Sequence, residues 1–329
     1  MTGSTIAALG VALPAREVTN DEIAQRLGVE GAWIEERTGI RARRIASPDE
    51  TSATLGIAAA RRALQAGRVD GSEIDLIICA TVTPEWRFPA TACSIQSVLG
   101  SPAAAYDINA GCSGFMYALA QADNAIRAGV AERVLVVGAE VLSRITDPDD
   151  PKTAILFGDG AGAALVERVD GPGALGPFSL YSDGSRPRLL YVPGDTGTIR
   201  MEGREVYRSA IASMAESLAR SLAASGITAD DVDLLVPHQA NRRILDSVAA
   251  RLGFPPEKVF TNIDRFGNTS SASIPIALAE AHATGALQDG DLVALSAFGA
   301  GFVWGAGLVQ WGGTPADQEA LVGSVVTRE

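Results

Sequence analysis

The chain is poor in cysteine, histidine and positive charge. Its three cysteines, Cys79, Cys93 and Cys112, are too few and too odd in number for a disulfide framework. Two histidines and no paired cysteine spacing leave no support for a metal site. No apolar run approaches the roughly 18 residues of a membrane span, and Met1-Thr2-Gly3-Ser4 lacks the basic and apolar regions of a leader. A net charge of −12 opposes broad binding to nucleic acid or anionic lipid, so any acidic partner must meet a local basic patch. Together these absences describe a reduced, cytoplasmic protein.

What is present is material for a large core. With 329 residues, 47% of them apolar, the chain can form two domains or one large α/β unit. Strand patterns are expected over 74–80, 133–138, 162–169, 232–237 and 291–297, and helical patterns over 20–27, 51–66, 112–129, 205–225, 241–252 and 271–284. Their alternation predicts α/β architecture. The chain also repeats itself. Ile74-Asp75-Leu76-Ile77-Ile78 returns as Val232-Asp233-Leu234-Leu235-Val236, and Ala118-Leu119-Ala120-Gln121-Ala122 as Ala277-Leu278-Ala279-Glu280-Ala281, at offsets of 158 and 159. Phe157-Gly158-Asp159-Gly160-Ala161-Gly162 is echoed by Phe298-Gly299-Ala300-Gly301. The expected organisation is therefore a half over 1–172, a duplicated half over 173–311, and a mobile tail over 312–329 that is extra to the fold.

Cys112 lies in Asn109-Ala110-Gly111-Cys112-Ser113-Gly114, where an apolar strand breaks at glycine and a helical pattern begins. A thiol in the first turn of a helix meets unpaired N–H groups and the positive end of the macrodipole, which favour thiolate and suit a nucleophile. The plainer fate of a free cysteine, a small buried hydrophobe, suits Cys79 inside a strand and Cys93 inside the helical stretch 90–99. His238, in Val236-Pro237-His238-Gln239-Ala240-Asn241, stands at another strand end, where a base would be wanted, although it could simply cap the helix that follows. The repeat carries Cys112 onto Ser271, just after Asn268 in Gly267-Asn268-Thr269-Ser270-Ser271, and His238 onto Ala80. The candidate groups thus fall at related ends of two packed halves, where open α/β sheets place ligands. A Cys and His pair alone could also hydrolyse a substrate. Asn268 discriminates, because a carboxamide donates a hydrogen bond to a developing oxyanion without taking up a proton. The glycines over 158–162 run into a strand, so the helix N-terminus needed by a phosphate loop is missing. His282, in mid-helix, reads as structural.

With Trp33-Ile34-Glu35-Glu36-Arg37-Thr38-Gly39-Ile40 added to these segments and to Phe298-Gly299-Ala300-Gly301-Phe302-Val303-Trp304-Gly305, the chain resembles the β-ketoacyl-[acyl-carrier-protein] synthase III family, within the thiolase-like superfamily, from about Ile6 to Gln310. The resemblance implies a five-layered αβαβα fold of two duplicated halves, a homodimer and a triad of Cys112, His238 and Asn268. It implies that Cys112 takes an acyl group from acyl-CoA, with the backbone N–H groups of Cys112 and Ala300 as oxyanion hole. Malonyl carrier protein then loses CO2 and condenses at His238 and Asn268, giving a 3-oxoacyl product and needing no cofactor beyond the thioester substrates. By the same matching Trp33, Arg37, Lys152 and Asn241 would bind CoA. Lys152 stands where the family has a second nucleotide-facing arginine. Phe88 would close the partner subunit's acyl pocket, and Arg208, Arg243 and Arg251 would dock the carrier protein. Ala300 interrupts the usual triple glycine, which implies strain if its φ must be positive. The segment 186–203 is short for the family and borders the expected mouth. A starter-unit synthase or acyltransferase of polyketide or other secondary metabolism remains an alternative. A non-catalytic subunit would be expected to have lost Cys112.

Overall fold

Two sheets in five layers carry the chain in the computed structural model, which describes residues 2–194 and 197–313. The first sheet sets its strands in the order Thr2–Ala12, Asp159–Asp170, Arg133–Val141, Leu76–Ala80, Ala104–Ile108. The first three are antiparallel to their neighbours and the last three parallel. The second sheet reads Leu175–Ser182, Val303–Gln310, Leu292–Gly299, Leu234–Pro237, with the same sequence of antiparallel, antiparallel and parallel pairs. Strand for strand it repeats the first, which adds Ala104–Ile108 at its edge.

The hydrophobic runs explain the layers, because strands covered on both faces read as near-continuous apolar segments. Along Arg133–Val141, Val134 and Val136 enter the central core while Leu135, Val137 and Ala139 face the outer helices. Two helices, Gly114–Arg127 and Ser273–Ala283, fill the space between the sheets. The second of these is buried continuously from Ser273 to Ala281, as a helix enclosed on all sides must be apolar all round. Ser52–Gly67 and Thr91–Val98 cover the outside of the first sheet, and Gly203–Ala224 and Arg242–Leu252 cover the second. The Thr51 hydroxyl accepts from Thr54 N–H and starts Ser52–Gly67, an N-cap worth about 1 kcal/mol.

The expected helices and strands are present with shifted ends. Among the strands that hydrophobic pattern did not reveal are Thr2–Ala12, Ala104–Ile108, Leu175–Ser182 and Val303–Gln310. The first, second and last of these are rich in alanine or glycine, which carry little intrinsic strand preference. One echo also misled. Phe157-Gly158 leads into a strand, whereas Phe298-Gly299 closes one; the counterpart of Asp159–Asp170 is Val303–Gln310. Of the expected tail over 312–329, only Gly312 and Gly313 are among the described residues.

Candidate active site

Cys112 sits at the junction of the halves, in a turn rather than in a helix. Ser113 N–H donates to Ala110 O, Gly114 N–H to Gly111 O, and the helix proper begins at Gly114, two residues later than expected. Gly111 takes φ 53°, and a β-carbon there would lie 2.8 Å from Ala300 N. A β-carbon on Gly299 would lie 2.5 Å from Cys112 N. Glycine at these two positions lets the chain segments carrying the Cys112 and Ala300 amides pack against each other. Ala300 itself is not among the positive-φ residues, so the strain expected of it is absent.

The surroundings of Cys112 work against the thiolate expected there. Burial pushes the Cys112 thiol up to about 11, the Glu140 charge adds to the rise, and a hydrogen bond with Ser270 only partly offsets it. His238, buried at the end of Leu234–Pro237, is pushed down to about 3 by burial. Both shifts favour the uncharged thiol and imidazole over a resting ion pair. His238 Nδ1 lies 2.7 Å from Ser273 Oγ. Asn268 is held through its main chain by Leu156 O and Gly158 N–H, and its Oδ1 accepts from Ser270 N–H at 2.9 Å. That bond fixes the amide orientation and leaves the Asn268 nitrogen free to donate.

Cys112, His238 and Asn268 line one pocket of about 920 Å³. Trp33, Arg37, Lys152 and Asn241 line it as well, with the Arg37 guanidinium stacked 4.5 Å from the Trp33 ring. Asn241 caps Arg242–Leu252 by accepting from Arg243 N–H, and its amide donates to Arg37 O, tying two pocket walls together. Of the three arginines expected to dock a partner, Arg243 reaches the pocket. Arg208 and Arg251 lie on exposed helix surface outside it, Arg208 paired with Glu205 at 3.2 Å. Phe88 is 84% exposed and contributes nothing to this protomer's pocket. Cys79 is buried as expected, whereas Cys93 is only partly so. The His282 ring accepts from Trp311 Nε1–H, a structural role.

Sequence reasoning missed Leu190, Met201, Arg204, Tyr207 and Phe298 in the lining. The helix expected from 205 starts at Gly203, which moves Arg204 into its first turn; an earlier start was the one available signal. Glu140 and Ser273 were missed too, for reasons of distance in the chain.

Two duplicated α/β halves, with polar side chains converging where they touch, define a thiolase-like acyltransferase. Residues 106–184 match the family model "3-Oxoacyl-[acyl-carrier-protein (ACP)] synthase III", and residues 222–311 match its C-terminal counterpart. The chain is 50% identical to β-ketoacyl-[acyl-carrier-protein] synthase III of Agrobacterium fabrum and 49% to that of Allorhizobium ampelinum, covering 94% of this chain and all of each relative. The crystal structure of 3-oxoacyl-[acyl-carrier-protein] synthase III from Aquifex aeolicus superimposes with a TM-score of 0.91 at 44% identity, covering 94% of this chain and 100% of that one. The priming β-ketosynthase of the R1128 polyketide pathway gives a TM-score of 0.91 at 37%, covering 95% and 97%. The chain belongs to the β-ketoacyl-[acyl-carrier-protein] synthase III family. As such it is an acyl-transferring condensing enzyme, and its reaction is the starter-unit condensation that begins fatty acid synthesis.

Proposed function

We propose that Cys112 carries the acyl group and that His238 and Asn268 serve the condensation. The observation that supports this most directly is the convergence of the three side chains in one pocket at the junction of the halves. In the first half-reaction Cys112 Sγ attacks the acyl-CoA carbonyl. The thiol proton passes to His238, whose neutral imidazole can accept it, and then to the departing CoA sulfur. The Cys112 and Ala300 N–H groups stabilise the tetrahedral oxyanion between these events. In the second half-reaction the bond from the malonyl α-carbon to its carboxylate breaks and CO2 leaves. The electron pair moves into an enolate whose oxygen accepts from the Asn268 amide nitrogen and from His238 in its Nε2–H tautomer, the Ser273 hydroxyl then donating to Nδ1. The α-carbon then attacks the acyl-cysteine, the 3-oxoacyl carrier protein departs, and Cys112 leaves as thiolate and regains a proton. Both half-reactions run on thioesters and use no cofactor.

Trp33, Arg37, Lys152 and Asn241 suit the nucleotide and pantetheine arm of CoA, offering an aromatic face, cations and an amide along one wall. Arg243 at the mouth, with Arg208 and Arg251 further out, suits an acidic carrier protein. The exposed apolar side chains Trp86, Phe88 and Tyr106 favour a homodimer in which Phe88 completes the partner's acyl site. Among the described residues no helix is long and apolar enough to cross a membrane, which accords with action in the cytoplasm. The two halves would then be the units 1–172 and 173–311.

One assay tests the reading. The enzyme is offered a panel of acyl-CoAs, loading is followed by intact mass, and malonyl carrier protein is then added while CO2 and product are measured. Loading that survives Cys112→Ala removes Cys112 as nucleophile, and loading without CO2 release would point to acyl transfer alone. The likeness to a polyketide priming synthase makes the starter preference informative, because a strong preference for an unusual acyl group would favour secondary metabolism.

A further inference from the structure

The reaction scheme leaves one buried acid unused. Glu140 projects from the end of Arg133–Val141 into the space between the halves and is fully buried. Neutral donors hold it. Val82 N–H and the Thr83 hydroxyl reach Oε2 at 3.0 and 2.8 Å, and the Ser270 and Ser271 hydroxyls reach Oε1 at 3.0 and 2.8 Å. The first pair comes from the first half and the second from the other, so the carboxylate ties the halves together beside the site.

Ser270 is the informative partner. Its φ is +50°, and among the described residues the one other non-glycine with positive φ is Arg68, which ends a helix. Glycine would take this conformation without strain, so a serine here keeps its hydroxyl at an energetic cost. The left-handed turn places two main-chain groups of this residue beside proposed catalytic side chains. Ser270 N–H donates to Asn268 Oδ1 at 2.9 Å. Ser270 O accepts from Ser273 Oγ at 2.9 Å, and that hydroxyl lies 2.7 Å from His238 Nδ1.

We propose that Glu140 is a positioning residue for the condensation half-reaction. By anchoring the Ser270 hydroxyl it holds the left-handed turn that aims the Asn268 amide nitrogen at the extender's thioester oxygen. This rests on the assignment of Asn268 to the second half-reaction. Acyl loading needs neither the Asn268 donor nor its orientation, so the two half-reactions separate this role from a general effect on folding.

The test compares Glu140→Gln, Ser270→Gly, Glu140→Asp and Asn268→Ala in the full-length enzyme. Loading is read by intact mass from an acyl-CoA that loads the wild type, and CO2 release from malonyl carrier protein is read on pre-acylated enzyme. Glu140→Gln and Ser270→Gly should each lower kcat for CO2 release by about tenfold or more, with KM for malonyl carrier protein within about twofold and loading within about threefold. Glu140→Asp, which keeps a carboxyl group at this position, should recover most of the lost rate. Combining Glu140→Gln with Ser270→Gly should cost little beyond either alone, because both cut the same tether. Equal losses in loading and CO2 release, or no loss in CO2 release, would overturn the proposal. Should Glu140→Gln fold poorly, Ser270→Gly decides, since it removes the hydroxymethyl side chain at a φ that glycine adopts without strain. Asn268→Ala separates the two inferences. If it fails to spare loading, the assignment of Asn268 is wrong; if it spares loading while the Glu140 and Ser270 variants do not, only the positioning role falls.

Discussion

The two halves share one strand order yet treat the same junction differently. In the second half the strand Leu234–Pro237 is followed directly by His238; in the first, Leu76–Ala80 ends on Ala80, the position the repeat matches to His238. At the matching entrance to the central helix the first half has Cys112 and the second Ser271. Ser271 Oγ lies 2.8 Å from Ala80 O and 2.8 Å from Glu140, so this second junction is closed by hydrogen bonds, whereas the Cys112 junction opens into the pocket. Duplication supplied two equivalent seams. One holds the proposed reacting groups and the other an internal anchor that steadies them.

The sharpest way to break this comparison is to move the nucleophile. Cys112→Ala should lower acyl loading by about 10⁴-fold or more, and Ser271→Cys added to it should restore nothing, because the second seam lacks both an imidazole and an opening. Acyl mass on the double variant would show the seams to be interchangeable. Asn268→Asp should still load yet condense about 10²- to 10³-fold more slowly, since a carboxylate would repel the enolate that the carboxamide is proposed to stabilise. Unchanged condensation would remove the neutral-donor argument. Gly111→Ala puts a β-carbon 2.8 Å from Ala300 N and forces a side chain onto φ 53°. If the Ala300 amide is the oxyanion donor proposed above, loading should fall by about 10²-fold, and normal loading would remove that role.

A gentler comparison uses acidity. With its thiol pushed up to about 11, Cys112 should be alkylated by iodoacetamide at a rate rising roughly tenfold per pH unit between pH 7 and 10. A plateau below pH 9 would mean that the helix-end thiolate expected from sequence exists after all. The sign for His238 is equally definite. Its depressed value means that the unfolded chain binds more protons below about pH 6.5, so its contribution to stability is complete above that pH and is lost as pH falls toward 3. The smallest effect concerns the mouth. Arg243→Ala should raise KM for carrier protein by about three- to tenfold in a salt-dependent way, against less than about twofold for Arg208→Ala, whose charge already faces Glu205. Equal effects would extend the docking surface along the exposed helix.

The legible part of the site was the part written locally. Cys112 and His238 each stand at a break between a strand pattern and a helical one, Asn268 lies in a turn just before a helical pattern, and the repeat related Cys112 to the Asn268 segment. The helices and most parallel strands were legible because their apolar periodicity is a property of adjacent residues. Strands such as Thr2–Ala12 were not, because glycine and alanine acquire strand conformation from their neighbours in the sheet.

Sequence by itself determined the duplicated α/β plan, the three candidate groups and their neutral third member, since each depends on residue identity and spacing. Only the tertiary structure decided their condition. It placed Cys112 in a turn, shifted thiol and imidazole toward their uncharged forms by burial, and brought Glu140 to Ser270 across 130 residues. Desolvation and long-range hydrogen bonds depend on what packs around a group, and no local stretch of sequence encodes that.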